Sequence, residues 1–447
     1  MLTRKLSFNV REYLPLLILL GVILPLAILL NPNLIPRLLG QTSHISKYGY
    51  LDMEHYIFLA QNKYIDLQRT AYYPLWPFLL STFTKLTSLE IYKATILLSS
   101  IFGILSITLI KPLFYRVSNS RLFANCSFYL YTLSPMTVVF FMGYTESIFA
   151  FQSIVLLLSM HNILTAKIYR PFSLFLNYLV IFASSILLSL TRPILIQTIF
   201  SIALSISFLI IANKIRFRFL KKYLFLSSLI LLGTFAGYVI YGNILVDHQF
   251  RFFEPFYAQE MWNKSLGFRP IYFLTSKSPL IDFWALYYPF ILLIGYFNGL
   301  SNYFFRKIST VPFRKLALTL LYPPIGIISG IFSNDISKRT ASENLDQPKN
   351  TLITTYTADK DFLFYFSTFF AFSHSLICFL TQPFYMASLG RYVFGQPFFY
   401  LSLCLFLNNR IELISIKQRY LFLATLFISS LYLLINFINY ANADFLP

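Results

Sequence analysis

The stretch DMEHY, residues 52–56, places two acids and a histidine shortly after the first apolar segment of the chain. If the stretch is helical, Asp52 and His55 share one face, whereas Glu54 lies about 200° round the helix from Asp52. A carboxylate near lipid and beside an imidazole is a usable general base, because burial and neighbouring charge tune its pKa. We therefore predict Asp52, His55 and Glu54 as catalytic residues.

Two plainer interpretations of this stretch stay open. It could be a solvated helix at the membrane interface whose charges are ordinary. Asp52 and Glu54 could also hold Ca²⁺ or Mg²⁺, although two carboxylates alone do not specify such a site.

Three further charged residues lie beside apolar runs: Glu146 in GYTESIF, Arg192 in SLTRP and Arg391 in LGRYVF. Glu146 could belong to a helix cap, with Thr145 as the N-cap. Arginine on the outer side of a membrane runs against the usual distribution, and a phosphate partner would explain it, because arginine binds phosphate in bidentate fashion. Lipid head groups are the plainer alternative.

The elements that must position these residues follow from composition. Of 447 residues, 57% are hydrophobic and 12% charged, whereas soluble domains average about 25% charged residues. Apolar runs of about 20 residues recur from end to end, and they are continuous rather than alternating, which favours helices over a transmembrane barrel. We predict an all-α, polytopic transmembrane bundle of about 10–12 membrane segments, forming one domain over residues 1–447.

The basic loops predict the orientation of the bundle. Clusters of Lys and Arg at 213–222, 305–315 and 408–419 indicate cytoplasmic loops. The loop 31–74 is then a large first outer loop with interfacial helices and the acid cluster, and 246–281 is a second outer loop.

The number of crossings constrains two weaker segments. Leu75–Leu89 must enter the membrane without crossing it, which Pro74 and Pro77 favour. The polar tract 333–361 is predicted to be a flexible insertion, and Leu316–Phe332 before it is not expected to cross. Other predicted membrane segments include Leu14–Leu30, Leu122–Phe141, Ile148–Leu164, Phe172–Leu190, Ile194–Ala212, Tyr223–Leu245 and Val393–Leu407.

Composition also bears on partners. The net charge is +19, but the basic residues lie in short clusters between apolar runs, so we expect no nucleic-acid partner. The cysteines, Cys126, Cys378 and Cys404, lie in apolar runs, which is typical of small buried hydrophobes rather than of a disulfide or a metal site.

Several motifs, taken in order, resemble the PIG-V-like mannosyltransferases, a branch of the GT-C class of integral-membrane glycosyltransferases. LDMEHYIFLA and YYPLWP are similar to the family's first two marks, and SPMTVVFFMGYTESIF is similar to the next. SLTRP, the pair Gln259 and Trp262, and the late pair Arg391 and Tyr392 follow in the same order.

The resemblance implies a GT-C-like bundle that transfers a sugar, expected to be mannose, by inverting displacement at the non-cytoplasmic face. The donor is a polyprenyl-phosphate sugar, the acceptor is a hydroxyl of a glycan or glycolipid, no cofactor is required, and a divalent metal is left open. Asp52 would be the base, and His55 would orient it or bind the leaving phosphate. Glu146 would hold sugar hydroxyls or a basic partner. The substrate-binding residues so implied are Tyr73, Tyr144, Glu146, Arg192, Gln259, Trp262, Arg391 and Tyr392.

Other functions stay open. A transporter or flippase of lipid-linked sugars would carry charges at mid-membrane on several helices and show repeat symmetry. Another GT-C activity, such as arabinosyl or glucosyl transfer, would share the architecture, and a non-catalytic membrane scaffold would need no acid cluster. Membrane lipids are expected partners in every case. We expect a multi-pass protein of a bacterial plasma membrane, with the endoplasmic reticulum membrane as the alternative.

Overall fold

The computed structural model describes residues 13–41, 52–118, 120–166, 171–211, 217–262, 264–276, 279–304, 351–381, 389–410 and 416–442. Every regular element within these ranges is a helix, and no strand is present there, which confirms the all-α prediction.

The helices, in chain order, are α1 (Leu14–Leu30), α2 (Leu34–Leu38), α3 (Asp52–Asn62), a 3₁₀ helix (Gln68–Ala71), α4 (Leu75–Thr87), α5 (Ile91–Val117), α6 (Arg121–Thr132), a second 3₁₀ helix (Pro135–Phe141), α7 (Glu146–Thr165), α8 (Pro171–Thr191), α9 (Leu195–Ile211), α10 (Phe217–Asp247), α11 (Glu254–Met261), α12 (Tyr272–Thr275), α13 (Pro279–Phe304), α14 (Thr351–Leu380), α15 (Leu389–Phe394), α16 (Pro397–Arg410) and α17 (Ile416–Ala441).

Six of the described helices are long and apolar enough to cross a membrane: α5, α7, α8, α10, α14 and α17. Four shorter apolar helices, within α1, α9, α13 and α16, accompany them. The chain is therefore a helical membrane protein, while the number of passes and the side of each loop stay predictions.

The bundle has an inner and an outer set of helices. In the apolar stretches of α7 and of α14, 72% is buried inside the protein, whereas in the apolar stretch of α17 only 17% is buried. The outer helices expose large apolar side chains, among them Phe172, Phe175, Leu232 and Phe427. Because such a surface is stable against hydrocarbon rather than water, these faces suit contact with lipid.

Helices α8 and α10 approach each other through small residues. The segment GTFAG of α10, with Gly233 and Gly237 four residues apart, lies against Ser185 and Ser189 of α8. This is the small-residue spacing that lets membrane helices pack backbone to backbone. The contact fixes α8, whose end leads directly to Arg192.

Two predicted single segments are wrong, because each contains a break. Within Leu122–Phe141, α6 ends at Thr132 and a 3₁₀ helix begins at Pro135. Pro135 has no N–H for the carbonyl of Tyr131 four residues earlier, and the hydroxyl of Thr137 donates to that carbonyl instead, at 3.1 Å. The Oγ atom of Ser134 accepts the N–H of Met136 and starts the new helix.

The predicted segment Val393–Leu407 divides in the same way. Helix α15 ends at Phe394 and α16 begins at Pro397. Proline suits the first position of a helix and disfavours helix in the residue before it, Gln396, so the break falls there.

The structure describes only part of the segments for which the number of membrane crossings was predicted. Helix α4 has 13 residues, which is about 20 Å and short of the roughly 30 Å of a bilayer core; this length fits a segment that does not cross. Leu316–Phe332 lies outside the described residues, as does most of 333–361. The end of that tract is helical, because α14 begins at Thr351, and the flexible insertion stays a prediction.

The close contact of α8 and α10 predicts an effect on stability. A Cβ atom at Gly237 would lie 2.7 Å from the carbonyl oxygen of Ile186 and would overlap Ser189. We expect Gly237→Ala to destabilise the protein by about 1–3 kcal/mol, measured as a lower Tm of the purified protein in detergent. Gly21→Ala is the matched control, since no atom lies within 4 Å of a Cβ there. Equal Tm values for the two variants would contradict the packing.

Candidate active site

Alternating basic and acidic side chains connect four separate parts of the chain. Nη2 of Arg192 lies 2.6 Å from Oε1 of Glu146, and Nε of Arg391 lies 3.4 Å from the same oxygen. Nη2 of Arg391 in turn lies 2.8 Å from Oδ2 of Asp52. We call Arg192, Glu146, Arg391 and Asp52 the charge ladder. Its two acids and two arginines compensate each other.

Within the charge ladder, burial decreases from Glu146 through Arg391 to Asp52. The side chain of Glu146 is 1% exposed, those of Arg192 and Arg391 are 10% and 14% exposed, and that of Asp52 is 33% exposed. Buried charges of this kind are tolerated only when they are paired. Asp52 is therefore the open end of an otherwise enclosed arrangement.

The turn before α7 holds Glu146 in place. Glu146 lies in the first turn of α7, but Thr145 makes no side-chain cap of the helix. The Oγ1 atom of Thr145 instead accepts hydrogen bonds from Nε and Nη2 of Arg192, at 3.3 and 3.1 Å. It also lies 3.5 Å from the hydroxyl of Tyr56 on α3. Thr145 thus stands at the N-cap position with Glu146 in the first turn, as the helix-cap interpretation expects, but its side chain holds Arg192 instead of capping the helix.

Gly143 lets the same turn approach α3. Its φ is +77°, and a Cβ there would lie 2.6 Å from Sδ of Met53, next to Asp52. The indole N–H of Trp76 on α4 donates to the carbonyl oxygen of Gly143 at 3.2 Å. Only glycine satisfies both the backbone angle and the space, so this turn sets the distance between Asp52 and Glu146.

At the open end of the ladder, burial and the neighbouring charges shift the pKa of Asp52 in opposite directions. Burial alone would raise the pKa of Asp52, but the Arg391 guanidinium, with a smaller contribution from His55, outweighs it and holds that pKa below its ordinary value. Burial lowers the pKa of His55, and the charge of Asp52 offsets this only partly. At neutral pH Asp52 is ionised and His55 is neutral.

Aromatic rings form one wall beside Asp52. The ring of His55 stacks on that of Tyr72 with centroids 4.7 Å apart. Trp262 from the second outer loop meets both rings edge-on, at 5.2 and 5.8 Å. Its indole N–H donates to the carbonyl of Gln68 at 3.1 Å, which ties the two outer loops together. We call His55, Tyr72 and Trp262 the aromatic wall.

Two further tyrosines support Arg391. Nη2 of Arg391 donates to the hydroxyl of Tyr392 at 3.0 Å, and its guanidinium lies 5.5 Å from the ring of Tyr144. Tyr392 also stacks on His374 of α14, with centroids 5.3 Å apart. Arg391 is thus held by these tyrosines while it also contacts Asp52.

The structure brings together most of the predicted site residues. The charge ladder and its neighbours contain Asp52, His55, Tyr144, Glu146, Arg192, Trp262, Arg391 and Tyr392. Gln259 lies in the second outer loop, where its Oε1 accepts from Nζ of Lys264 at 2.9 Å.

Two predicted residues lie elsewhere. Glu54 is exposed on α3, whereas Asp52 and His55 are partly buried. Tyr73 is buried in a separate group of tyrosines, 4.7 Å from Tyr241. Among the described residues, no group of three or more His, Cys, Asp and Glu side chains is arranged to hold a metal ion.

Sequence reasoning missed Tyr72, Thr145, Lys264 and His374. Tyr72 and Tyr73 are adjacent, and the extended backbone at Tyr72 sends neighbouring side chains in opposite directions, so composition does not distinguish them. His374 could have been found, because an ionisable residue inside an apolar span is a functional candidate by default.

The charge ladder predicts that Glu146 is essential for folding stability. Glu146→Gln would leave Arg192 without an acidic partner and Arg391 with Asp52 alone, and we expect a loss of about 3–5 kcal/mol, seen as a large fall in Tm. Glu90→Gln also breaks a pair with a cation, Lys93, but both side chains are about half exposed. That control should change stability by about 1 kcal/mol or less. Similar effects of the two substitutions would show that the ladder is not a buried network.

Comparison of the chain with models of known protein families, with curated proteins and with solved structures gives no match. We therefore infer the function of the site from its own residues.

Proposed function

We propose that this protein is a membrane glycosyltransferase. It would move a sugar, mannose by the resemblance described above, from a polyprenyl-phosphate donor to a hydroxyl of a glycan or glycolipid at the non-cytoplasmic face. The observation that carries the proposal is the charge ladder, which presents a carboxylate at its open end with a guanidinium 2.8 Å away. Sugar transfer from a phosphate needs a proton acceptor and a cation for the leaving phosphate next to each other, and this pair provides both.

The reaction would proceed in a single displacement. Asp52 takes the proton of the acceptor hydroxyl while the hydroxyl oxygen forms a bond to the anomeric carbon of the donor sugar. The bond from that carbon to the phosphate oxygen breaks, and its electron pair stays on the phosphate. Arg391 stabilises the added negative charge of the leaving lipid phosphate. Asp52 then loses its proton to water.

The pairing of Asp52 with Arg391 requires an order of binding. A carboxylate beside a guanidinium is a weak base, because the cation stabilises its ionised form. A donor phosphate would compete for Nη2 of Arg391, since arginine binds phosphate oxygens strongly. Asp52 would then lose much of its compensation and become a stronger base only after the donor is in place.

The aromatic wall suits a sugar ring. Sugars present apolar C–H faces, and aromatic faces carry partial negative charge that attracts them. The buried Nδ1 atom of His55 makes no hydrogen bond to any described residue. A hydroxyl of the substrate could satisfy it, which adds a polar contact beside Asp52.

The position of the charges favours an enzyme over a transporter. Among the described residues of the ladder, Asp52 and Glu146 are the first residues of their helices, and Arg192 follows directly after the end of α8. A transporter of lipid-linked sugars would bind near the bilayer midplane. The ladder lies at helix ends instead.

Transfer activity is tested with purified protein in lipid nanodiscs. We expect loss of the sugar from polyprenyl-phosphate mannose in the presence of a suitable acceptor, and a fall of about 10²–10⁴-fold in Asp52→Asn. Asp247→Asn, at an exposed position, is the matched control and should keep full activity. If the protein, placed in vesicles, moves the lipid-linked donor across the membrane without transferring its sugar, the result would support a transporter instead. Full activity of Asp52→Asn would remove Asp52 from the role of base.

The depressed pKa of Asp52 predicts a pH dependence. The acidic limb of kcat/KM reports the free protein, and Asp52 is active when deprotonated. In the wild type this limb should lie below the ordinary pKa range of a carboxyl, since Arg391 favours the ionised form. In Arg391→Gln the residual activity should show the limb at higher pH, because burial is then less opposed. An unshifted limb would contradict the pairing of Asp52 with Arg391.

A further inference from the structure

A third carboxylate lies behind Arg391, outside the charge ladder. Asp282 on α13 is completely buried. Its Oδ2 atom accepts the hydroxyl of Ser276 at 2.7 Å, and its Oδ1 atom accepts the backbone N–H of Gly390 at 2.9 Å. Both oxygens are thus used, one by Ser276 six positions earlier in the chain and the other by Gly390, 108 positions later.

Helix α15 needs such an external support. It has six residues, and it carries both Arg391 and Tyr392. Its first N–H groups have no partner within the helix, and a helix of this length is not stable by itself. The bond from Gly390 to Asp282 satisfies one of these groups directly before Arg391.

The choice of a carboxylate at this position is informative. A buried carboxylate costs several kcal/mol in lost hydration, whereas a neutral amide could accept the same hydrogen bond at lower cost. An amide, however, has one acceptor oxygen, whereas a carboxyl group has two, and here one oxygen serves Ser276 and the other Gly390. Asp282 therefore links both segments with one side chain.

We infer that Asp282 is a positioning residue, which fixes Arg391 relative to Asp52 through the backbone of Gly390 and links Arg391 to the second outer loop through Ser276. This inference rests on the proposed function, because the geometry that Asp282 maintains is that of the proposed base and phosphate ligand.

The second outer loop thereby reaches both halves of the site. Near its middle Trp262 contacts His55 and completes the aromatic wall, and near its end Ser276 donates to Asp282. Between them the N–H of Gly267 donates to the carbonyl of Leu380 at 2.9 Å, which anchors the loop on the end of α14. The loop is thus a connection between the surroundings of Asp52 and the support of Arg391.

The test compares Asp282→Ala and Asp282→Asn with wild type in two measurements. In Asp282→Ala we expect faster hydrogen–deuterium exchange of the amides of 389–394 and a fall of kcat by about 100-fold, because misplacement by about 1 Å costs that much. Asp282→Asn should recover much of both, because its amide oxygen can still accept from Gly390.

The matched control is Asp359→Asn. Asp359 is a buried acid on α14 that contacts Lys222 and Tyr223, about 30 Å along the helix from Leu380. Asp359→Asn should lower Tm but leave both kcat and the hydrogen–deuterium exchange of residues 389–394 unchanged.

The outcomes separate this inference from the proposed function. If the wild type transfers no sugar, the proposed function fails, and with it the role of Asp282 in placing a phosphate ligand, even if exchange shows that Asp282 supports α15. If the wild type is active, unchanged exchange in Asp282→Ala overturns the inference. Faster exchange with unchanged kcat also overturns it, because Asp282 would then be structural only. If Asp282→Ala does not fold, Ser276→Ala takes its place, with smaller effects in the same direction expected and no effect counting against the inference.

Discussion

A charge can be enclosed in a helical membrane protein only where an opposite charge or hydrogen-bond donors compensate it, and the centre of this protein follows from that constraint. Glu146 is almost completely enclosed and lies between two arginines, Arg192 and Arg391. These side chains come from the start of α7, the end of α8 and the short helix α15. The three elements must therefore meet at one place, and the close contact of α8 with α10 and the support of α15 by Asp282 serve that meeting.

The gradient of burial along the ladder separates stability from reactivity. The inner end is dry and compensated, so it holds the helices together. The outer end is Asp52 on α3, an 11-residue helix whose side chain at this position is one third exposed. In the proposed reaction, the acceptor and the lipid phosphate would meet at this open end. The aromatic wall and the second outer loop close the same region from the side.

Hydropathy predicted the long helices well. The segments predicted near α7, α8, α9 and α10 agree with the structure within a few residues, because a continuous apolar run of that length has no other stable form in lipid. It failed where a proline interrupts an apolar run, since the mean hydropathy of a segment does not register that Pro135 and Pro397 break the backbone hydrogen bonding. The family resemblance, in turn, pointed to Tyr73 rather than Tyr72, a choice that depends on side-chain direction alone.

The sequence by itself determined that this is an all-helical membrane protein and which rare polar residues stand beside its apolar runs. Both are local properties, because each apolar run must satisfy its own backbone hydrogen bonds within the membrane. Only the tertiary structure decided that Arg391 pairs with Asp52, that the side chain of Thr145 binds Arg192 rather than an N–H group of its own helix, and that Asp282 supports α15. Such pairings join distant parts of the chain. Asp282 and Gly390, for example, are more than a hundred positions apart. They depend on where helices cross, and no property of a single segment encodes that.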